Sequence, residues 1–143
     1  KGLGCEDSVS FLPALGGKPI DSTRAGVIHH SISGHFAYRQ GKWKLCLARA
    51  SGGWSSPREN QAPLDSLPGQ LYDIEIDPSE MTNLYDAKPE VVARLVSQLK
   101  SDVLRGRSTT GPPAQNDVQD IVLWKSKEKS NSSAGRSRKK KKQ

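Results

Sequence analysis

The chain has 143 residues and a mass of 15.6 kDa, room for one domain with a single core. Hydrophobic residues make up 34% of it, against about 45–50% in an average globular chain, so a sizeable part is expected to stay outside any core. The net charge of +7 is confined to one end: residues 125–143 carry nine basic side chains against Glu128, or +8, while the preceding 124 residues carry 13 basic and 14 acidic groups, or −1. A nucleic-acid-binding body would spread Lys and Arg over a folded face, so no specific nucleic-acid partner is expected. No apolar run approaches the roughly 18 residues of a helical membrane span, and no signal-peptide pattern opens the chain. It begins at Lys1 in what reads as the middle of a sequence, which predicts either a removed upstream part or a piece of a longer protein.

Asp7 or Ser8 can cap a short helix whose Val9, Phe11, Leu12 and Leu15 share a face, with Gly16 and Gly17 stopping it. Residues 27–31 (VIHHS) read as a strand, and Ser33-Gly34 as a turn. Residues 36–39 and 43–47 alternate on either side of Gln40-Gly41-Lys42, the pattern of an antiparallel hairpin. Residues 51–70, rich in Gly, Pro and Ser, predict a long loop over the sheet. A strand follows at 71–74 and a turn at 77–80. Pro89 suits the first position of a helix whose Val91, Val92, Leu95, Val96, Leu99, Val103 and Leu104 recur at three- and four-residue spacing, ending at Gly106. The order of elements predicts an α+β fold: a small antiparallel sheet of about four strands, packed by a C-terminal amphipathic helix. The expected divisions are a folded unit at 1–108, a linker with a small apolar docking segment (Ile121 to Trp124) at 109–124, and a disordered Lys/Arg-rich tail at 125–143.

Candidate site residues are few. His29, His30 and His35 crowd one hairpin, but neighbours on a strand face opposite ways, and neither Cys nor carboxylate stands near them at zinc-like spacing, so no metal ligand is assigned. A structural or surface role is favoured for them, with lining of an anionic-ligand pocket as the functional alternative. Cys46 reads as a buried structural thiol, and Tyr38 and Trp43 as core or sheet-face residues. Trp54 lies in the Gly/Ser loop, where an aromatic has less core to join and a ligand contact becomes a candidate role. Asn131-Ser132-Ser133 matches a glycosylation sequon, and Arg138 to Lys142 could attract polyanions.

Several phrases occur in a fixed order: EDSVSFLP at 6–13, VIHHS at 27–31, AYRQGKWKL at 37–45, LYDIEIDPSE at 71–80 with TNL at 82–84, and PEVV at 89–92. Together, over residues 5–105, they resemble the C-terminal part of a sulfatase of the arylsulfatase family. The resemblance implies a sulfuric ester hydrolase whose formylglycine and calcium belong to a large N-terminal catalytic domain. It also implies a C-terminal four-stranded antiparallel sheet with a helix, and a periplasmic, lysosomal or secreted location. The partners it implies are that N-terminal domain and a sulfate ester substrate such as a sulfated glycan. The family's C/S-x-P-x-R motif is absent here: Cys5 precedes Glu6-Asp7-Ser8, Cys46 precedes Leu47-Ala48-Arg49, and Ser55-Ser56-Pro57-Arg58 places its Arg one residue early. The Asp-Asn-Gly segment of the calcium site is missing too. No catalytic residue and no metal ligand is therefore assigned to this chain, and no cofactor is expected in it. His29, His30 and Trp54 are expected to border the substrate pocket. The sheet of such a subdomain would bury one face against the main domain, so this chain alone is expected to expose an apolar patch. The alternative is a stand-alone α+β interaction module with a polyanion-binding basic tail, whose affinity would fall linearly in log[salt].

Overall fold

Alternating residues with high strand preference form four short strands that pair antiparallel in chain order: β1 (Val27–His30), β2 (Phe36–Gln40), β3 (Trp43–Cys46) and β4 (Gln70–Asp73). The computed structural model describes residues 7–20 and 24–125. Cys5, the sequon at Asn131 and the basic tail beyond Lys125 lie outside the described residues. The β2–β3 hairpin is tighter than its Gln40-Gly41-Lys42 signal suggests, because Gln40 pairs with Trp43 and only two residues turn. Gly41 supplies the positive φ of 57° that the turn requires. Lys42, beside it, reaches the buried Asp73 of β4 at 2.7 Å and lies over the Trp43 ring.

Register sorts the side chains by face. Tyr38, Leu45 and Leu71 stand in one cross-strand row, and all three are fully buried. Helix α2 (Pro89–Leu104) covers this face with Val92, Leu95 and Leu99. Pro89 occupies the first turn and Gly106, at φ 69°, follows the end of the helix, as the sequence predicts. Leu104 departs from its expected place on the buried stripe and is 71% exposed. The buried residue of the last turn is instead Asp102, which accepts a 2.8 Å hydrogen bond from the Tyr38 hydroxyl and a 3.2 Å bond from the Gln98 amide. Tyr38 is thereby tied across the core from sheet to helix. Burial, then the hydrogen bond to Asp102, raises its phenol well above the ordinary value.

The N-terminal helix shrinks to a single turn, α1 (Leu12–Leu15), with Phe11 rather than Asp7 or Ser8 at its cap. Asp7 is engaged elsewhere, accepting from the backbone N–H and the hydroxyl of Ser108. With that cap withdrawn and Pro13 inside the turn, the segment does not extend. Phe11, Leu12 and Leu15 remain 65–73% exposed. Past α2, residues 107–125 run back along the body. Ser108 and Thr109 are buried, Ile121, Leu123 and Trp124 pack against the core, and the Trp124 indole donates to the Pro68 carbonyl at 2.9 Å. Among the described residues no helix is long and apolar enough to cross a membrane.

Tyr38 also dictates what precedes β1. A Cβ on Gly26 would stand 2.4 Å from the Tyr38 ring and 2.8 Å from the Arg39 carbonyl oxygen. Gly26→Ala is therefore expected to be among the most damaging single substitutions. Tyr38→Phe leaves the Asp102 carboxylate without its hydroxyl donor and should lower the unfolding free energy by about 1–3 kcal/mol, read by denaturant titration. Arg39→Gln, on an exposed neighbour, should change it by no more than about 0.5 kcal/mol.

Candidate functional site

The other sheet face carries a different set of side chains. Cross-strand rows place His29, Ala37, Cys46 and Gln70 in one line and Val27, Arg39, Lys44 and Tyr72 in the next. The uncovered side is mixed, with Val27 and Ala37 beside His29 and the cations Arg39 and Lys44. The large exposed apolar side chains lie elsewhere, on α1, at the end of α2 and in loops.

A groove of about 560 Å³ opens over this face, bounded by His29, Arg39 and Lys44 on the strands, by Ser51-Gly52 on one side and by Glu80 on the other. His35 enters from the β1–β2 connection. Its backbone N–H donates to the Ser31 hydroxyl at 3.0 Å, and its Nδ1 lies 3.3 Å from the Leu47 carbonyl oxygen. His29 stands exposed on the open face, whereas His30 turns to the helix side and meets the Phe36 ring edge-on at 4.1 Å, though both touch the groove's border. Trp54 is 77% exposed and does not line it. Cys46 lies on this face and not in the core cluster, and burial pushes its thiol up, so it stays protonated near neutral pH.

Two carboxylates shape the rim. Lys44 and Glu80 form a 2.6 Å ion pair. Glu80 sits at φ 56°, an unusual conformation for a side chain other than Gly, in the turn that Asp77 organises by accepting from the Met81 and Thr82 N–H groups. Glu59, in a short 3-10 turn (Glu59–Gln61), accepts from the backbone N–H groups of Arg49, Ala50 and Gly52 at 3.1, 2.7 and 3.2 Å. It pins the long loop to the end of β3. Sequence reasoning missed Arg39, Lys44, Glu59 and Glu80. The period of two, which places Arg39 and Lys44 on the same side as His29, is the signal that could have found the cations; Glu59 and Glu80 have no local signature. Among the described residues no group of three or more His, Cys, Asp or Glu side chains could hold a metal ion.

No protein-family model matches the chain, and no curated protein matches it. Among solved structures it is similar to a Bacteroides thetaiotaomicron sulfatase, solved in the context of that organism's metabolism of multiple glycosaminoglycans. The identity is 29% and the TM-score 0.49, and the match covers 66% of this chain and 19% of that one. The chain thus spans under a fifth of the length of that protein.

Burial opposes the charge on Glu59, but the Ala50, Arg49 and Gly52 N–H groups and the nearby His35 hold its carboxyl below the ordinary 4.5. A lowered folded-state value means that this stabilisation is present above pH 4.5 and is lost as pH falls through the folded value. Glu59→Ala should raise the amide exchange rates of Arg49, Ala50 and Gly52 about tenfold or more, while leaving the amides of α2 unchanged. Acidification of the unaltered protein should loosen the same three amides first.

Proposed function

We propose that this chain is the C-terminal subdomain of a sulfatase-like hydrolase of the arylsulfatase type, completing that enzyme's fold and bordering its substrate cleft. The observation that carries the reading is the ordered set of phrases resembling that family, each of which does a definable structural job here. VIHHS supplies β1, and AYRQGKWKL supplies the β2–β3 hairpin with its Lys42–Asp73 tie. LYDIEIDPSE supplies β4 and the Asp77 turn. Asn83 of TNL accepts from the Leu71 and Tyr85 N–H groups at 3.0 Å each, covering the outer edge of β4. PEVV opens α2.

The chemistry of sulfate ester cleavage needs preorganised cations and a metal around the developing charge. This chain has no C/S-x-P-x-R motif and, among the described residues, no acidic cluster, so formylglycine and calcium do not fit those residues and no catalytic step is assigned to them. Those groups, on this reading, belong to an N-terminal catalytic domain. The present chain would provide a wall, with the Glu59-anchored loop at 51–70 and His29 and His30 nearest the substrate. Trp54, exposed near the start of that loop, would be the aromatic available to a substrate approaching from solvent.

Reading the coding sequence upstream of Lys1, together with the intact mass of the native protein, tests this. The expected result is several hundred preceding residues that include C/S-x-P-x-R. A start codon immediately upstream and a native mass near 15.6 kDa would overturn the reading.

A further inference from the structure

We propose that the outer edge of β1 docks an extended strand of the native protein lying outside this chain, a strand whose side chains alternate between acidic and apolar. Register fixes which backbone groups face that edge. The Ser31 N–H donates to the His35 carbonyl and the Leu47 N–H to the Phe36 carbonyl. Val27, His29 and Ser31 therefore turn their backbone groups to β2, and Ile28 and His30 turn theirs outward. At the opposite edge of the sheet the chain covers itself. The Leu71 N–H donates to the Asn83 side chain, the Leu71 carbonyl accepts from the Leu84 N–H, and the Asp73 carbonyl accepts from the Asp77 N–H. No described hydrogen bond reaches the outward N–H and carbonyl groups of Ile28 and His30. β1 also lacks the usual guards of an edge strand: it contains neither Pro nor Lys, pairs with β2 without a bulge, and at four residues is as long as β3 and β4. A rule kept at one edge and broken at the other marks a functional position.

The surroundings of the bare edge describe the strand that fits it. On the open face, Val27 and His29 border a hollow of about 530 Å³ whose walls include Val9, Ile20, Arg24 and Arg39, and among the described residues no carboxylate lines it. On the helix face, Ile28 and His30 border a second hollow of about 390 Å³. Its polar walls are engaged within the chain: Asp7 with Ser108, Asp102 with Tyr38, and the Asn116 amide with the Val103 carbonyl. What it offers an incoming side chain is the apolar surface of Ile28, Phe36, Val103 and Ile121. An added strand sends successive side chains to opposite faces, here an acidic one toward Arg24, His29 and Arg39 and an apolar one toward Val103 and Ile121. Backbone pairing with Ile28 and His30 supplies affinity, and the two hollows supply the choice of sequence. Placing the strand in the same native protein rests on the proposed hydrolase reading, whereas the edge and its chemistry do not.

The test has two arms. In the first, the isotopically labelled full chain is titrated with a blocked Glu-Val-Glu-Val-Glu-Val peptide, and separately with its Lys-Val-Lys-Val-Lys-Val counterpart, following backbone amides by NMR. The expected result is shifts centred on the Ile28 and His30 amides, with cross-strand contacts to the peptide amides, and binding about tenfold weaker for the Lys peptide. Unshifted Leu95 and Leu99 amides would show that α2 stays packed. Shifts that spare Ile28 and His30 would overturn the site, and equal binding of the two peptides would overturn the chemistry of the partner. Concentration-dependent shifts of the same amides without peptide would assign the edge to a second copy and overturn the proposed occupant. In the second arm, hydrogen exchange of the Ile28 and His30 amides is compared between the native protein from its source and the 143-residue chain. Exchange about tenfold or more slower in the native protein is expected; equal exchange in a native protein longer than this chain would overturn the source of the strand. A native protein of only 143 residues would remove the sulfatase reading and with it that source, and the peptide titration would still decide the edge.

Discussion

The architecture depends on a hydrogen bond between two groups that hydrophobic patterning alone would keep apart. The Tyr38 hydroxyl, at the centre of the sheet, reaches the Asp102 carboxylate in the last turn of α2. A carboxylate carried into the core needs a partner, and this one has the phenol, the Gln98 amide and, at 3.8 Å, the Arg105 guanidinium. That requirement fixes how far along the sheet the helix lies. Much else follows from it: Gly26 must lack a side chain, and α2 presents Val92, Leu95 and Leu99 to the Leu45–Leu71 row. The end of α2 is also where Ser108 can meet Asp7.

Once α2 covers one face, the opposite face is committed to another use. Its occupants are mixed, with Val27 and Ala37 beside His29, Arg39 and Lys44, and carboxylates hold segments on either side of it. Glu59 fastens the long loop on one side, and Glu80 restrains Lys44 on the other. Loops pinned by a few charge-assisted bonds can change sequence between their anchors without disturbing the core, a suitable arrangement for the wall of a substrate cleft. On the proposed reading, the sheet supplies rigidity, the loop at 51–70 supplies selectivity, and the reacting groups come from the remainder of the enzyme.

Much of the fold was legible from residue order. The hairpin was signalled by alternation around Gly41, and α2 by its Val and Leu spacing after Pro89, because both signals are local. The failures share a cause: each depended on a partner distant in sequence. Asp7 reads as a helix cap until Ser108, a hundred residues on, claims its carboxylate. Asp102 carries no sequence signal for burial, since its partner Tyr38 lies 64 residues earlier in the chain. The site was less legible than the fold. Histidines drew attention by crowding, yet His29 and His30 face opposite ways, and the charged pair on the open face emerges only once register sets Arg39 against Lys44. Trp54 stood out by its composition-poor surroundings, and the structure leaves it exposed, away from the groove.

The most direct test of the central claim is sulfate release from an aryl sulfate by the native protein from its source, assayed beside the isolated 143-residue chain. The account predicts turnover by the native protein and none by the isolated chain, because on the proposed reading the reacting groups belong to an N-terminal catalytic domain. A native protein that carries this chain and releases no sulfate from aryl or glycan sulfate esters would contradict it.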